Sequence, residues 1–204
     1  MARRNDHSRE EIRQLALDAA ESMVISGGHQ ALSARKIATQ IGYTVGTLYL
    51  VFSNLNDLVL HLNGRTLDQM LHWLKKADSN QQGEQATLKG LAYAYIEYVE
   101  QNTHRWNLLE EFVTKNHEVP DWYQQKLAQL FSLVEDALRN EGGLHDDTRI
   151  LQAARVLWAS VHGICLLKIR QRLDLAGGLT SQQMADMLIE NFMRGMKEKG
   201  NYSA

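Results

Sequence analysis

Apolar residues recur at three- and four-residue intervals from Ile12 to Phe192, and strict alternation is absent. That period sets one face of a helix against a core repeatedly and offers no segment for a sheet. A single proline, Pro120, interrupts little. Glycines pair at Gly27-Gly28, Gly142-Gly143 and Gly177-Gly178, where helices are expected to end. The expected fold class is all-α, with about nine helices. The 204 residues leave room for a small domain attached to a larger one.

Within this pattern the stretch LSARKIATQIGYTVGTLYLVFSNLNDL, Leu32 to Leu58, stands apart. No acidic residue occurs from Ser22 to Asn56. Ser33 is a candidate cap for a short helix with Ile37, Ala38 and Ile41 facing inward. Gly42 ends it, and Thr44 caps a second short helix, Val45 to Val51. Leu48 and Phe52 anchor that helix, which leaves Gly46, Thr47 and Tyr49 outward. The pattern predicts a helix-turn-helix. A short helix enters a major groove when its outward side chains are small or polar and it is held from behind. Val45 and Gly46 allow close approach, Thr44 and Thr47 offer hydroxyls, and Tyr49 offers a phenol at phosphate height. Ser33, Arg35 and Lys36 lie where phosphates would run, and a carboxylate there would repel them.

Before it, Ser8 and Glu11 match a capping box opening a helix with Ile12, Leu15, Ala16, Ala19 and Met23 on one stripe. Arg3 and Arg4 precede that helix; they are either a solvated tail or a basic arm that touches phosphate or the minor groove. After it, Ser53-Asn54 opens a long helix reaching about Lys76, and Asp78 to Gln85 reads as a loop. The remainder is helical: Leu88 to Val99, His104 to Lys115, and a helix opened by Pro120. Asp146-Asp147 caps the eighth helix, running roughly to Leu173, and Ser181 caps the ninth. The expected division is a DNA-binding domain over 1–54 and a ligand-binding and dimerisation domain over 55–204.

These residues resemble the TetR family of transcriptional regulators. The resemblance rests on Leu32-Ser33-Ala34-Arg35-Lys36-Ile37-Ala38, Gly42-Tyr43-Thr44, Gly46-Thr47-Leu48-Tyr49, Phe52 and Leu58. It implies a three-helix DNA-binding head, a larger helical body that binds a small molecule, and a homodimer. It further implies repression of a palindromic double-stranded operator, relieved by the effector. Members usually carry an aromatic residue or His at the places of Leu50 and Val51, and Lys at that of Leu55. The aliphatic residues here imply fewer phosphate contacts, and more reliance on Arg3, Arg4, Lys36 and Tyr49. Trp158, His162 and Gly163 look like the Trp-His-Gly signature of one C-terminal subgroup.

In the body, Trp158 and His162 share a helix face at i and i+4. His162 is either a core histidine bonded to a neighbour's hydroxyl or carbonyl, or a pocket residue. With Trp106 and Phe112 these form the candidate ligand site, suited to an apolar or aromatic effector. The eighth helix is apolar over more than one stripe, as if buried on two sides, and the ninth carries Met184, Met187, Leu188 and Phe192. Packing of both against their copies, with Val161, is the expected dimerisation mode.

No nucleophile elbow, phosphate-binding loop, dinucleotide fingerprint or paired-histidine zinc motif occurs. No enzyme, cofactor or metal is expected. One cysteine, Cys165, excludes an intramolecular disulfide and reads as an inert buried thiol. The charged first thirteen residues lack a signal-peptide apolar region, and the most apolar run, Val156 to Ile169, is broken by His162 and Lys168. A cytoplasmic protein without a membrane partner is expected. The rival reading is a DNA-bound adaptor of the same fold whose body docks a protein.

Overall fold

The computed structural model describes residues 7–79, 87–111, 119–142, 146–173 and 177–200. Among them are nine α-helices and no strand: α1 Arg9–Gly27, α2 Ala34–Gln40, α3 Val45–Leu48, α4 Leu55–Ser79, α5 Leu88–Gln101, α6 Thr103–Glu111, α7 Asp121–Gly142, α8 Asp147–Ile169 and α9 Ser181–Gly200. A 3-10 turn, His29–Ala31, joins α1 to α2. The chain forms two compact units, one of Met1–Leu67 with Asn102–Tyr123, the other of Asp68–Gln101 with Gln124–Ala204.

The first unit is built on local capping. Ser8 and Glu11 close a reciprocal capping box on α1. At α4, Asn54 Oδ1 accepts from the Asp57 N–H at 3.0 Å and Asp57 Oδ2 accepts from the Ser53 N–H at 2.8 Å. The core beneath joins Leu17, Ala20 and Val24 of α1 to Ile37, Leu48, Phe52, Leu58 and Leu62, with Leu108 of α6. Trp106 is fully buried in this unit. A polar clamp runs beside the core. Glu21 accepts from Arg105 Nε at 3.1 Å and Nη2 at 2.9 Å, and Arg65 reaches Asp18 at 2.6 Å and Glu21 at 3.4 Å. The largely buried Glu21 carboxylate therefore keeps two guanidinium partners, as a charge out of water requires.

In the second unit α5, α8 and α9 pack pairwise. Ile96, Val99, Leu138, Ile150 and Ala185 are its buried centre. Trp73 donates its indole N–H to the Ala94 carbonyl at 3.1 Å. Lys89 pairs with Glu190 at 2.6 Å and Asp186 at 3.4 Å, and Tyr93 donates to Asp186.

Four helix ends differ from the sequence expectation. α3 is regular only to Leu48; Leu50 N–H and Val51 N–H then bond Thr47 and Leu48 carbonyls, so its last turn tightens. α4 continues past Lys76 to Ser79. α8 ends at Ile169 rather than near Leu173. There the Gln171 N–H bonds Lys168 O, the Arg172 N–H bonds Leu167 O, and Gln171 adopts φ 53°, a closed left-handed stop. At α9 the cap is Thr180, not Ser181: Thr180 Oγ1 accepts from the Gln183 N–H at 3.1 Å while Gln183 Oε1 accepts from the Thr180 N–H at 2.9 Å. Ser181 is the first helical residue, and its buried hydroxyl has no partner. Within the single chain α8 turns Ile150, Ala154, Leu157, Val161 and Cys165 to the core and leaves Leu151, Val156, Trp158 and Leu167 exposed. It is long and apolar enough to cross a bilayer, yet a third of that window is buried inside the protein.

The two hydroxyls at the start of α9 therefore have opposite roles. Thr180→Ala should cost about 1 kcal/mol of unfolding free energy, whereas Ser181→Ala should cost nothing or stabilise slightly, since it removes a buried unsatisfied group. Urea denaturation of both variants decides it, and a loss from Ser181→Ala larger than that from Thr180→Ala would place the cap at Ser181.

Candidate nucleic-acid interface

The turn between α2 and α3 is set by one residue. Gly42 lies at φ 77°, the Gly42 N–H bonds Thr39 O at 3.1 Å, and the Tyr43 N–H bonds Ala38 O at 2.9 Å. This closes α2 and sends the chain straight into the next cap; a side chain at a positive φ would be strained. Thr44 Oγ1 then accepts from the Thr47 N–H at 3.2 Å and lies 3.0 Å from the Thr47 hydroxyl. Ser33 Oγ accepts from the Lys36 N–H at 3.1 Å and so starts α2. Both helices of the motif are thus capped by hydroxyls, without a carboxylate.

Leu48 and Phe52 are buried at the base of α3. Outward lie Thr44, Gly46 and Tyr49, with Val45 and Thr47 half-buried. Tyr49 is 44% exposed. Arg35 and Lys36 are exposed on α2, and Lys36 Nζ lies 3.4 Å from the Ala31 carbonyl. They border a surface groove of about 440 Å³ completed by Met23, Ser26, Ala31, Thr39 and Gln40. The structure thus gathers Ser33, Arg35, Lys36, Thr44, Val45, Gly46, Thr47 and Tyr49 on α2, the turn and α3. Arg3 and Arg4, and Phe112 of the ligand set, lie outside the described residues.

Three features escape the sequence. Exposed Thr39 and Gln40 extend the polar surface of α2, although their types carry no strong signal. His7 Nδ1 and the Tyr43 hydroxyl are 2.8 Å apart, joining the start of the chain to the turn across 36 positions. The third concerns the departures at Leu50, Val51 and Leu55. Only Leu50, 64% exposed, faces solvent; Val51 and Leu55 pack against the core of the unit.

The body candidates separate. Trp106 is buried in the first unit, whereas Trp158 and His162 belong to the second. There Tyr95 Oη and His162 Nδ1 are 2.9 Å apart, and the rings of Trp158 and His162 lie 4.9 Å apart. Phe131 meets Trp158 edge-on at 5.5 Å, and the Arg155 guanidinium sits 3.7 Å over Phe131 while pairing with Glu135 at 2.7 Å. Trp158 is 43% exposed, so this aromatic cluster opens to the surface of the unit. Val161 is buried in the core of its own unit; Met187 is exposed, and Met184, Leu188 and Phe192 are half-buried. Burial pushes the Cys165 thiol up to about 12, which leaves it unreactive.

The sequence matches two family models. Residues 16–62 match that of bacterial regulatory proteins of the tetR family, and residues 88–192 match the tetracyclin repressor-like C-terminal domain. The chain belongs to the TetR family. Similar solved structures include a Rhodococcus sp. RHA1 protein of unknown function, at 18% identity and TM-score 0.70, covering 96% of this chain and 98% of that one. A TetR-family transcriptional regulator from Streptomyces coelicolor is 17% identical with TM-score 0.64, covering 91% and 99%. The multidrug binding protein EbrR, complexed with imidazole, is 23% identical with TM-score 0.59, covering 91% and 95%. At these identities the likeness is one of fold. No curated protein matches the sequence. As a TetR-family member the chain is a transcriptional regulator with a DNA-binding head and a C-terminal ligand-binding domain, a class that is not enzymatic.

Gly46 separates stability from recognition. Its φ is not positive, and a Cβ there would meet only Thr44 Oγ1 at an ordinary 3.6 Å, so the fold does not require glycine. Gly46→Ala should raise unfolding stability by about 0.5–1 kcal/mol while weakening DNA binding severalfold, because the methyl group occupies space needed by the DNA. Calorimetry together with fluorescence anisotropy on a bound fragment checks both signs; unchanged affinity would remove Gly46 from the interface.

Proposed function

We propose that the protein is a homodimeric repressor that binds a palindromic operator in the cytoplasm and is released by a small, largely apolar or aromatic molecule. The observation that carries this reading is the acid-free, hydroxyl-capped surface of α2 and α3, with its polar face outward and its apolar face buried. The proposed division is a DNA-binding domain over 1–54 and a ligand-binding and dimerisation domain over 55–204. Arg3 and Arg4 are proposed to add phosphate contacts.

Dimerisation is assigned to α8 and α9. Val156, Ser160, Gly163 and Leu167 follow 4-3-4 spacing along α8, and a Cβ at Gly163 would meet nothing within 4 Å. Met184, Met187 and Asn191 repeat at 3-4 spacing on α9, with Met187 55% exposed. Seams of apolar and small residues at heptad spacing suit a partner helix, and a second copy supplies the same seam. For the effector, support comes from the Tyr95, His162, Trp158 and Phe131 cluster, and from the multidrug binding of the similar EbrR.

Two measurements test this. Binding of genomic fragments should weaken with salt, with a log–log slope whose magnitude falls by about one per subunit in Lys36→Ala. Salt-independent binding, or no effect of Lys36→Ala combined with Tyr49→Ala, overturns the DNA reading. Met187→Lys with Val156→Lys should convert a dimer into a folded monomer by light scattering and reduce operator affinity; an unaltered mass places the interface elsewhere.

A further inference from the structure

Arg13 lies on α1, outside the helix-turn-helix, and none of the DNA-facing surface includes it. Its Nη1 donates to the Val51 carbonyl at 2.9 Å, its Nη2 donates to His61 Nε2, and its carbon centre lies 4.8 Å over the Phe52 ring. Val51 closes the tightened turn after α3, and Phe52 is the buried anchor beyond it. One guanidinium thus grips the tail of the reading helix by its backbone and its aromatic anchor together. Lysine, with a single point charge, has no geometry for that fork. Behind the guanidinium, His61 of α4 lies flat on Trp122, with centroids 4.7 Å apart and planes within 4°. All these residues belong to the first unit.

We infer that Arg13 is a positioning residue of the DNA-reading helix, and that it holds this helix in reading position only while His61 is neutral. The inference rests on α3 being the DNA reader. A neutral imidazole carrying its proton on Nδ1 presents the Nε2 lone pair to Arg13. A second proton at Nε2 replaces that acceptor with a donor and sets a positive charge against the guanidinium. Arg13 must then retract, and the Val51 carbonyl loses its partner. The charged groups facing His61 are Arg13 and Glu10 of α1 and Asp57 of its own helix, 3.4 Å away; Trp122 of α7 and Phe52 face it without charge.

Burial first, and the Arg13 charge second, hold His61 below the ordinary histidine range. With the folded value lowered, the neutral-state contribution is fully present above about pH 6.5 and is lost as pH falls below it. DNA binding should follow the same direction.

The test uses the full chain and a genomic fragment selected with the wild type. Arg13→Lys should bind about tenfold more weakly at pH 8, where His61 is neutral. His61→Gln keeps an acceptor for Arg13 and cannot titrate, so it should match the wild type at pH 8 and bind more tightly than it at the acid pH where quenching of Trp122 shows His61 to be charged. Trp122 emission, obtained as the difference between the wild type and Trp122→Phe, should be quenched over the same pH range, because a protonated imidazole stacked on an indole quenches it. Unchanged affinity in a folded Arg13→Lys overturns the positioning role. Superimposable affinities of wild type and His61→Gln across the quenching transition, or no quenching down to acid unfolding, overturn the switch, and they decide the matter alone if Arg13→Lys does not fold. A wild type that binds no fragment at all refutes the DNA reading instead.

Discussion

A helix of four residues does not hold its own shape in water. α3 exists because Leu48 and Phe52 bury themselves beneath it and Thr44 satisfies its first turn. Everything on its outer face follows from that anchoring. With the helix held from below, Gly46 and Tyr49 are exposed on its outer side. The core under α3 recruits α1, α4 and α6, so the reader is part of one packed unit rather than an appendage.

The same logic separates the polar residues of this unit into two kinds. Those on α2, the turn and α3 cap helices or point outward, and none is acidic. Those between helices are paired charges, Arg65 and Arg105 on Glu21 and Asp18, which fix helix to helix. Arg13 stands between the two kinds, because it is internal yet ends on the backbone of the reader's last turn. The second unit is organised differently. α8 spends one apolar stripe on its own core through Ala154, Leu157 and Val161, and leaves another, through Val156 and Leu167, uncovered. That uncovered stripe is the one proposed above to meet a second copy.

Most of the fold was legible in the residues because helical period, caps and glycines act locally. Ser8 with Glu11, Ser33, Gly42, Thr44 and Asp146 all take the expected positions. The misses have local causes too. Thr180 with Gln183 is as clear a capping signature as Ser8 with Glu11, but Ser181 beside it is an equally good cap by residue type. Gln171 halts α8 in a left-handed conformation for which glycine is the usual signal. The outward residues of α2 and α3 were legible because an outward face is what remains when the anchors are assigned. The Arg13, His61 and Trp122 contacts were not, since they join positions 48 apart and more, which no period reveals. The ligand set was least legible: aromatic residues at helical spacing look alike in a core and in a cleft, and Trp106 lies in the core of the first unit while Trp158 is exposed in the second.

The central claim is that α3 enters the major groove and that two copies do so on one duplex. Hydroxyl-radical footprinting on a selected genomic fragment tests it most directly. Two protected patches on one face of the duplex, their centres about 34–36 Å or a multiple of that apart, with protection lost in Tyr49→Ala, are the predicted result. A single patch, uniform protection along the fragment, or a footprint indifferent to Tyr49 would contradict it.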